Sequence, residues 1–247
     1  MKFKMTVLLT VLFCFPQMVF ALTGRDIMVQ SDKLVSPKTA KTDVTMLIYK
    51  GKNVEKKSFT AYAKEYPGDE TRILISFQKP TRIQLLTHSH KGQEDDQWIA
   101  LSSGRVKRVV SSDKGKPFVH SHFYFEDLGS LDIDDYDFKY IGDAKGVGTD
   151  CYKVEGVKKK NKEKVYDKMV FYVRKSDYFV VRIDFYQNGQ FHKFMENKNI
   201  RNKDGILTPY QVVMSLANGQ GRTELNVGSV EYNKAIPSSK FNKETLR

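Results

Sequence analysis

The chain has 247 residues, of which 40% are hydrophobic and 28% charged, and its 41 lysines and arginines outnumber 29 acidic residues for a net charge of +12. This hydrophobic share is enough to fill a globular core, so the composition excludes a wholly disordered or fibrous protein. The length fits one large domain or two small ones.

The first 21 residues have the pattern of a secretory signal peptide. Lys2 and Lys4 form a basic start, residues 7–20 form an apolar stretch, and Val19-Phe20-Ala21 has the small-x-small form of a cleavage site. We therefore expect export, with a mature chain of residues 22–247.

A membrane span and a lipid anchor are the alternatives for this segment. A span needs about 20 apolar residues, and this stretch is shorter. An anchor would use Cys14, but Val11-Leu12-Phe13 lacks the small residues of a lipobox. If Cys14 leaves with the signal, Cys151 is the only cysteine and no internal disulfide can form.

Residues 23–35 have a helical pattern. Thr23 and Asp26 form a capping-box-like start, and Ile27, Ser31 and Leu34 lie three to four residues apart on one face. The sequence predicts one α-helix near the start of the mature chain.

From residue 44 the apolar residues recur with a period of two, which is typical of strands. The turn pairs Asn188-Gly189, Asp204-Gly205 and Asn218-Gly219 favour tight hairpins. We expect ten or eleven antiparallel strands in a single mainly β domain over residues 22–247. The clearest runs are 44–49, 58–64, 72–77, 152–154, 169–173 and 179–185.

Two later stretches interrupt the strand pattern. Residues 125–137 are acidic with helix-like apolar spacing, and residues 237–246 have the pattern of a short terminal helix. The acidic residues of the first stretch do not fit an EF-hand, because the turn glycine and the twelfth-position acid are missing. We interpret them as a solvated helix face and loop.

Histidines occur as two His-x-His pairs. Alternate residues on a strand share a face, so each pair could supply two metal ligands. A pair alone is an incomplete site, and exposed strand histidines are the competing interpretation. The four low-probability candidates are His88, His90, His120 and His122.

No catalytic motif is present. The sequence lacks a Gly-x-Ser-x-Gly elbow, a His-Glu-x-x-His helix, a phosphate-binding glycine loop and a dinucleotide fingerprint. Cys151 begins a predicted strand and is interpreted as a half-buried core residue and not as a nucleophile. We expect no enzyme activity and no cofactor.

Basic residues cluster at 105–108 and 158–164. An exported protein rarely meets nucleic acid, so anionic head groups and acidic partner proteins are the expected contacts. A solvated loop is the alternative for the second cluster. We assign Arg105, Lys107 and Arg108 to a rim that docks head groups or a partner.

The aromatic and aliphatic residues of the strands could form a concave apolar surface, which either packs on a covering helix or receives a ligand. An ordinary filled core is the alternative. The residues predicted to line an apolar cavity are Ile75, Phe77, Leu85, Trp98, Phe171, Val173, Val181 and Ile183.

Four groups of motifs in this order resemble the outer-membrane lipoprotein-sorting proteins, the LolA-like periplasmic carriers. The resemblance covers most of the mature chain. The motifs are Leu22-Thr23-Gly24-Arg25-Asp26-Ile27-Met28; Tyr66-Pro67-Gly68-Asp69-Glu70-Thr71-Arg72 with Phe77-Gln78-Lys79-Pro80; Asp95-Asp96-Gln97-Trp98-Ile99 with Arg105-Val106-Lys107-Arg108-Val109; and Phe123-Tyr124-Phe125-Glu126-Asp127-Leu128.

The resemblance implies an unclosed half-barrel, a strongly curved antiparallel sheet with a few short helices over its concave face. It implies a periplasmic monomer that shelters a lipid or lipoprotein acyl chain and passes it towards the outer membrane. An inner-membrane exporter and an outer-membrane acceptor are its possible partners, and nucleic acid is not. Two alternatives are a non-enzymatic interaction subunit of a resistance-nodulation-division export system and a His-based metal-binding protein.

Overall fold

The computed structural model describes residues 22–247, so the predicted signal peptide lies outside the described residues. One α-helix, α1, covers Gly24–Asp32 and begins with the expected capping box. The Thr23 hydroxyl accepts a hydrogen bond from the Asp26 amide at 3.1 Å, and the Thr23 amide donates to the Asp26 carboxylate at 3.0 Å. Two of the free amides at the helix start are thereby satisfied.

Thirteen strands form one antiparallel sheet that does not close into a barrel, which confirms the predicted fold class. The count exceeds the expected ten or eleven. The strands are β1 Thr39–Lys50, β2 Asn53–Tyr66, β3 Glu70–Lys79, β4 Ile83–Ser89, β5 Asp96–Ala100, β6 Val106–Val109, β7 Tyr136–Gly146, β8 Thr149–Lys158, β9 Lys168–Arg174, β10 Val180–Gln187, β11 Gln190–Lys203, β12 Ile206–Leu216 and β13 Gly221–Tyr232.

The sheet consists of two meanders joined through the first and last strands. Its spatial order is β6-β5-β4-β3-β2-β1-β13-β12-β11-β10-β9-β8-β7. Ala40 on β1 pairs with Tyr232 on β13, whereas every other ladder joins strands that follow each other along the chain. β6 and β7 are therefore the two free edges.

The segment between these edge strands, residues 110–135, crosses the inner face of the sheet. It contains short 3-10 turns at Ser111–Asp113, Phe118–His120, Glu126–Leu128 and Ile133–Asp135. The helix expected over 125–137 is therefore replaced by two of these turns and the start of β7.

The C-terminal residues pack on the outer face of the sheet. In place of the terminal helix expected over residues 237–246, the structure has two 3-10 turns, Ser238–Phe241 and Lys243–Thr245. Phe241 is 0% exposed and packs with Leu74 and Leu86. This segment thus covers apolar residues on the face opposite α1.

Among residues 22–247, no helix has both the length and the apolar composition needed to cross a bilayer.

Candidate functional site

The inner face of the first meander is apolar. Three predicted cavity residues, Ile75, Phe77 and Leu85, lie together there and are at most 8% exposed. Ile75 pairs directly with Leu85 across β3 and β4. The full cluster is Val44, Met46, Ile48, Phe59, Ile75, Phe77, Leu85, Val109, Phe118 and Phe125.

The inner face of the second meander continues this surface. Phe171 and Val173 are fully buried, and Ile183 pairs with Phe171 across β9 and β10. Leu128 and Leu225 contact both clusters, so the two halves form one continuous apolar face. Val181 is 1% exposed but lies at the register shift between β9 and β10, outside these clusters.

Trp98 lies on the opposite face. It pairs with Leu86 and packs with the outer cluster under the C-terminal segment, 5.0 Å from the His88 ring. Its neighbour Ile99 is the residue that packs against the inner cluster. Neighbouring residues of a strand face opposite sides of the sheet, and the predicted alternation on β5 was wrong by one residue. The prediction that Trp98 lines the cavity is therefore wrong.

The apolar inner face is covered by α1 and by residues 118–128, which we call the plug segment. Ile27 and Met28 of α1 are 0% and 2% exposed, and Phe118 and Phe123 of the plug segment are 1% and 3% exposed. Both α1 and the plug segment pack directly into the sheet clusters. The protein's own side chains therefore fill most of the predicted cavity in this structure.

A glycine sets the distance between α1 and the sheet. A Cβ atom at Gly24 would lie 2.6 Å from the backbone carbon of Lys139 and from the backbone nitrogen of Tyr140 on β7. Only glycine fits this approach without displacing the helix or the strand.

A buried ion pair fastens the plug segment to the sheet. The Lys193 ammonium on β11 donates to the Asp127 carboxylate at 2.6 Å and to the His122 carbonyl at 3.0 Å. The Tyr124 amide donates to the same Asp127 oxygen as Lys193, at 2.6 Å, and the Tyr166 hydroxyl donates to the other oxygen at 2.7 Å. Asp127 is thus held by three donors.

Aromatic rings surround the Lys193 ammonium. It lies 3.5 Å from the Tyr124 ring centroid, 5.4 Å from that of Tyr166 and 5.8 Å from that of Phe185, within the range of cation–π attraction. Burial lowers the pKa of Lys193, and the Asp127 carboxylate opposes this shift. Burial raises the pKa of the Tyr166 hydroxyl, which therefore remains a donor.

A groove of about 520 Å³ remains open at the C-terminal end of α1. Its walls are mostly apolar and include Leu34, Val35, Val180, Ile206 and Leu207. This volume lies within the usual range of small-molecule sites, about 300–1,000 Å³. The sequence analysis did not identify this groove, because its walls come from five separate segments.

The predicted rim residues lie in or beside edge strand β6. Arg105, Lys107 and Arg108 are exposed. Arg108 pairs with Asp96 at 2.5 Å on the outer face, and Lys107 pairs with Ile99 on the inner side. The three residues therefore do not share one face.

The two histidine pairs have separate partners. His88 Nε2 lies 2.9 Å from the Phe241 carbonyl, and His122 Nδ1 lies 2.8 Å from the Thr223 hydroxyl. His90 faces Glu70 and Asp96, while His120 is exposed. Within the described part of the chain, no three His, Cys, Asp or Glu side chains are grouped for a metal ion.

Cys151 is a free thiol on β8 and is fully buried, more so than the half-buried core position expected from the sequence. Burial raises the pKa of this thiol, which disfavours the reactive thiolate.

The fold of residues 22–247 also occurs in known proteins. A protein-family model described as "Uncharacterized protein" matches residues 69–247. A search of the curated proteins finds no match. The remaining similarities are to solved structures.

Two solved structures are similar over nearly the whole chain. A DUF1329 family protein from Desulfovibrio piger is 28% identical, with a TM-score of 0.86 over 91% of this chain and 98% of that one. A domain named for outer-membrane lipoprotein sorting, from Vibrio parahaemolyticus, is 27% identical, with a TM-score of 0.84 over 90% and 97%.

A LolA superfamily protein from Nitrosomonas europaea shares the fold at 17% identity, with a TM-score of 0.70 over 92% of this chain and 100% of that one. The expected resemblance to LolA-like lipoprotein-sorting proteins is therefore confirmed at the level of fold.

Proposed function

Because the chain belongs to the family whose model matches residues 69–247 and has a LolA-like fold, we propose that it is a non-catalytic carrier of a lipid or lipoprotein acyl chain. It would act as a monomer in the periplasm, after removal of residues 1–21, and pass its cargo towards the outer membrane. An inner-membrane donor and an outer-membrane acceptor would be its partners.

The main support is the way in which the apolar inner face is covered. No second sheet packs on it within residues 22–247; α1 and the plug segment cover it instead. α1 is not part of a strand ladder and can shift without breaking one, whereas the Lys193–Asp127 ion pair holds the plug segment on the sheet. An acyl chain replacing α1 gains about 0.8 kcal/mol for each buried methylene, which offsets the displacement of the helix.

The groove at the end of α1 is the proposed entrance. It adjoins Val180, which packs against the inner cluster that contains Phe171 and Val173. A chain entering beneath Leu34 would therefore reach the predicted cavity residues as α1 moves. We propose that these contacts involve Ile75, Phe77, Leu85, Phe171, Val173 and Ile183, but neither Trp98 nor Val181, which lies outside the inner clusters.

Mass spectrometry of protein purified gently from its native envelope tests this function. We expect a stoichiometric acylated species in the organic extract, and a strong reduction in the variant Leu34→Glu, which places a charge in the groove. Val54→Glu is the matched control, because Val54 is 55% exposed on β2 and does not line the groove. A wild-type protein that carries no acylated species and gains no stability from added lipids would overturn the carrier function.

The filled inner face favours one second candidate, an interaction subunit of an envelope export system without a ligand of its own. Ile27, Met28, Phe118 and Phe123 already occupy the surface that cargo would need. Capture of a membrane exporter by the purified protein, without any co-purifying lipid, would support this candidate.

A further inference from the structure

A second cavity, of about 580 Å³, lies where residues 111–114 and 126 meet the loop between β8 and β9. We call it the lysine pocket. Five lysines contribute to its wall, together with two hydroxyls and two acidic residues. Its lining residues are Ser111, Ser112, Lys114, Glu126, Lys158, Lys160, Lys162, Glu163, Lys164 and Val165.

Three of these lysines have carboxylate partners. Lys162 and Lys164 both contact Asp135, at 2.6 and 2.8 Å, and the Asp135 side chain is only 4% exposed. Lys114 pairs with Glu94 at 3.0 Å. These ion pairs fix the pocket wall in place.

The loop itself is ordered by its backbone. The Lys159 amide donates to the Asp135 carbonyl at 2.9 Å, and the Lys162 amide donates to the Lys159 carbonyl at 3.1 Å. The Lys159 ammonium donates to the Asp134 carbonyl at 2.8 Å. The basic run at 158–164 is therefore a turn with fixed backbone hydrogen bonds, in which Lys160 is exposed.

Two lysines in this wall have no ion-pair partner in the described part of the chain, although the Lys158 ammonium donates to the Lys164 carbonyl at 3.5 Å. Among residues 22–247, no carboxylate lies within ion-pair distance of Lys158 or Lys160. The wall also carries the carboxyl groups of Glu126 and Glu163, neither of which has an ion pair within the described residues. Burial raises the pKa of Glu126. Together with Glu94 and Asp135, the two acidic partners of the wall lysines, four carboxyl groups face five ammonium groups, so the pocket keeps an excess of positive charge and favours an anion.

We propose that the lysine pocket binds a phosphate group, held by the ammonium groups of Lys158 and Lys160 and by the hydroxyls of Ser111 and Ser112. Charge-assisted hydrogen bonds to phosphate oxygens are stronger than neutral ones, and several converging donors are what a phosphate requires. The phosphate could belong to an amphiphile or to a soluble phosphate compound.

Position favours the head group of an amphiphile. Glu126 of the pocket wall lies between Phe125 and Asp127 of the plug segment, and Val165 precedes the buried Tyr166. A phosphate in the pocket would therefore lie beside the cover of the apolar face. The inference that the phosphate belongs to the head group of an amphiphile rests on the proposed carrier function.

Calorimetric titration tests the pocket with three probes: inorganic phosphate, dihexanoyl phosphatidic acid and dihexanoylglycerol. The test variant is Lys158→Gln/Lys160→Gln. The control is Lys52→Gln/Lys56→Gln, which removes the same charge from exposed positions on the β1–β2 hairpin, outside the pocket. All titrations use the mature chain at physiological ionic strength, because screening weakens nonspecific attraction.

We expect the pocket variant to bind the phosphate probes at least tenfold more weakly than wild type, and the control to bind them as wild type does. Tighter wild-type binding of phosphatidic acid than of inorganic phosphate would identify a head group, and equal binding would identify a soluble phosphate compound.

Wild-type protein that binds neither phosphate probe, or equal weakening in the two variants, would overturn the pocket. Dihexanoylglycerol separates the two proposals. If the protein binds dihexanoylglycerol but neither phosphate probe, the carrier function stands and the phosphate pocket is overturned. If it binds inorganic phosphate but neither amphiphile, the pocket stands and the carrier function is overturned.

Discussion

Lys193 and Asp127 form an ion pair 2.6 Å long although their side chains are only 0% and 2% exposed. Lys193 belongs to β11, whereas Asp127 belongs to the plug segment, so the pair joins the cover of the apolar face to the sheet. A buried charge without its partner is strongly unfavourable, so each of these side chains depends on the other.

Lys193→Met should lower the free energy of unfolding by about 3–5 kcal/mol, because it leaves the Asp127 carboxylate buried without its cation. Chemical denaturation measures this loss. Lys198→Met is the matched control on the same strand: Lys198 is 37% exposed, and its pair with Glu196 should contribute less than about 1 kcal/mol. Equal stability of the two variants would show that the buried pair does not hold the plug segment.

Gly24→Ala should loosen α1 and destabilise the protein by roughly 1–3 kcal/mol, because the added methyl group meets the β7 backbone. Binding of a hydrophobic dye should rise as the inner face becomes accessible. Gly228→Ala is the control, since a Cβ there would lie 3.6 Å from the Asp43 carbonyl, an ordinary contact. A Gly24→Ala protein with wild-type stability would mean that α1 can shift at no cost.

Stability should fall as the pH is lowered from about 7.5 to about 5.5. Burial lowers the pKa of His122 in the folded protein, so the unfolded chain takes up a proton first and unfolding is favoured as the pH falls through the unfolded value. Burial also lowers the pKa of His88 and His192.

His122→Gln should reduce this slope by up to about 1.4 kcal/mol per pH unit, measured by denaturation over the same pH range. An unchanged slope would assign the pH dependence to other groups.

Fluorescence of Trp98, the only tryptophan of the chain, should report the C-terminal segment and not the cavity. Phe241→Ala should shift the Trp98 emission to longer wavelength, since Phe241 is fully buried in the same outer cluster. Phe191→Ala, at an exposed position, should leave it unchanged. A large change in emission on adding amphiphile would contradict the outer location.

The regular parts of this fold follow directly from local sequence signals. Alternating apolar residues predict the strands, the Asn-Gly and Asp-Gly turns predict the hairpins, and the Thr23–Asp26 capping box predicts the start of α1. These signals act over a few residues, so a sequence pattern is enough to find them.

Features that depend on tertiary contacts were not predictable in this way. The face occupied by Trp98 depends on register, which a shift of one residue reverses. Lys193 looks like an exposed strand lysine until Asp127 and Tyr166, distant in sequence, are brought against it. The spacing of Leu128, Leu131 and Ile133 suits a helix, but the buried hydrogen bonds of Asp127 and ion pairs of Asp135 favour short turns at these positions.

The pairing of β1 with β13 determines which part of the sheet can form early and which must wait. Each meander consists of hairpins whose strands are neighbours in the sequence, so closing each of them costs little chain entropy. The β1–β13 ladder can form only after nearly the whole chain has emerged, because Ala40 must meet Tyr232. Until β13 arrives, the first meander therefore presents its β1 edge without a pairing strand, and we expect this half-sheet to be the species most in need of protection from aggregation.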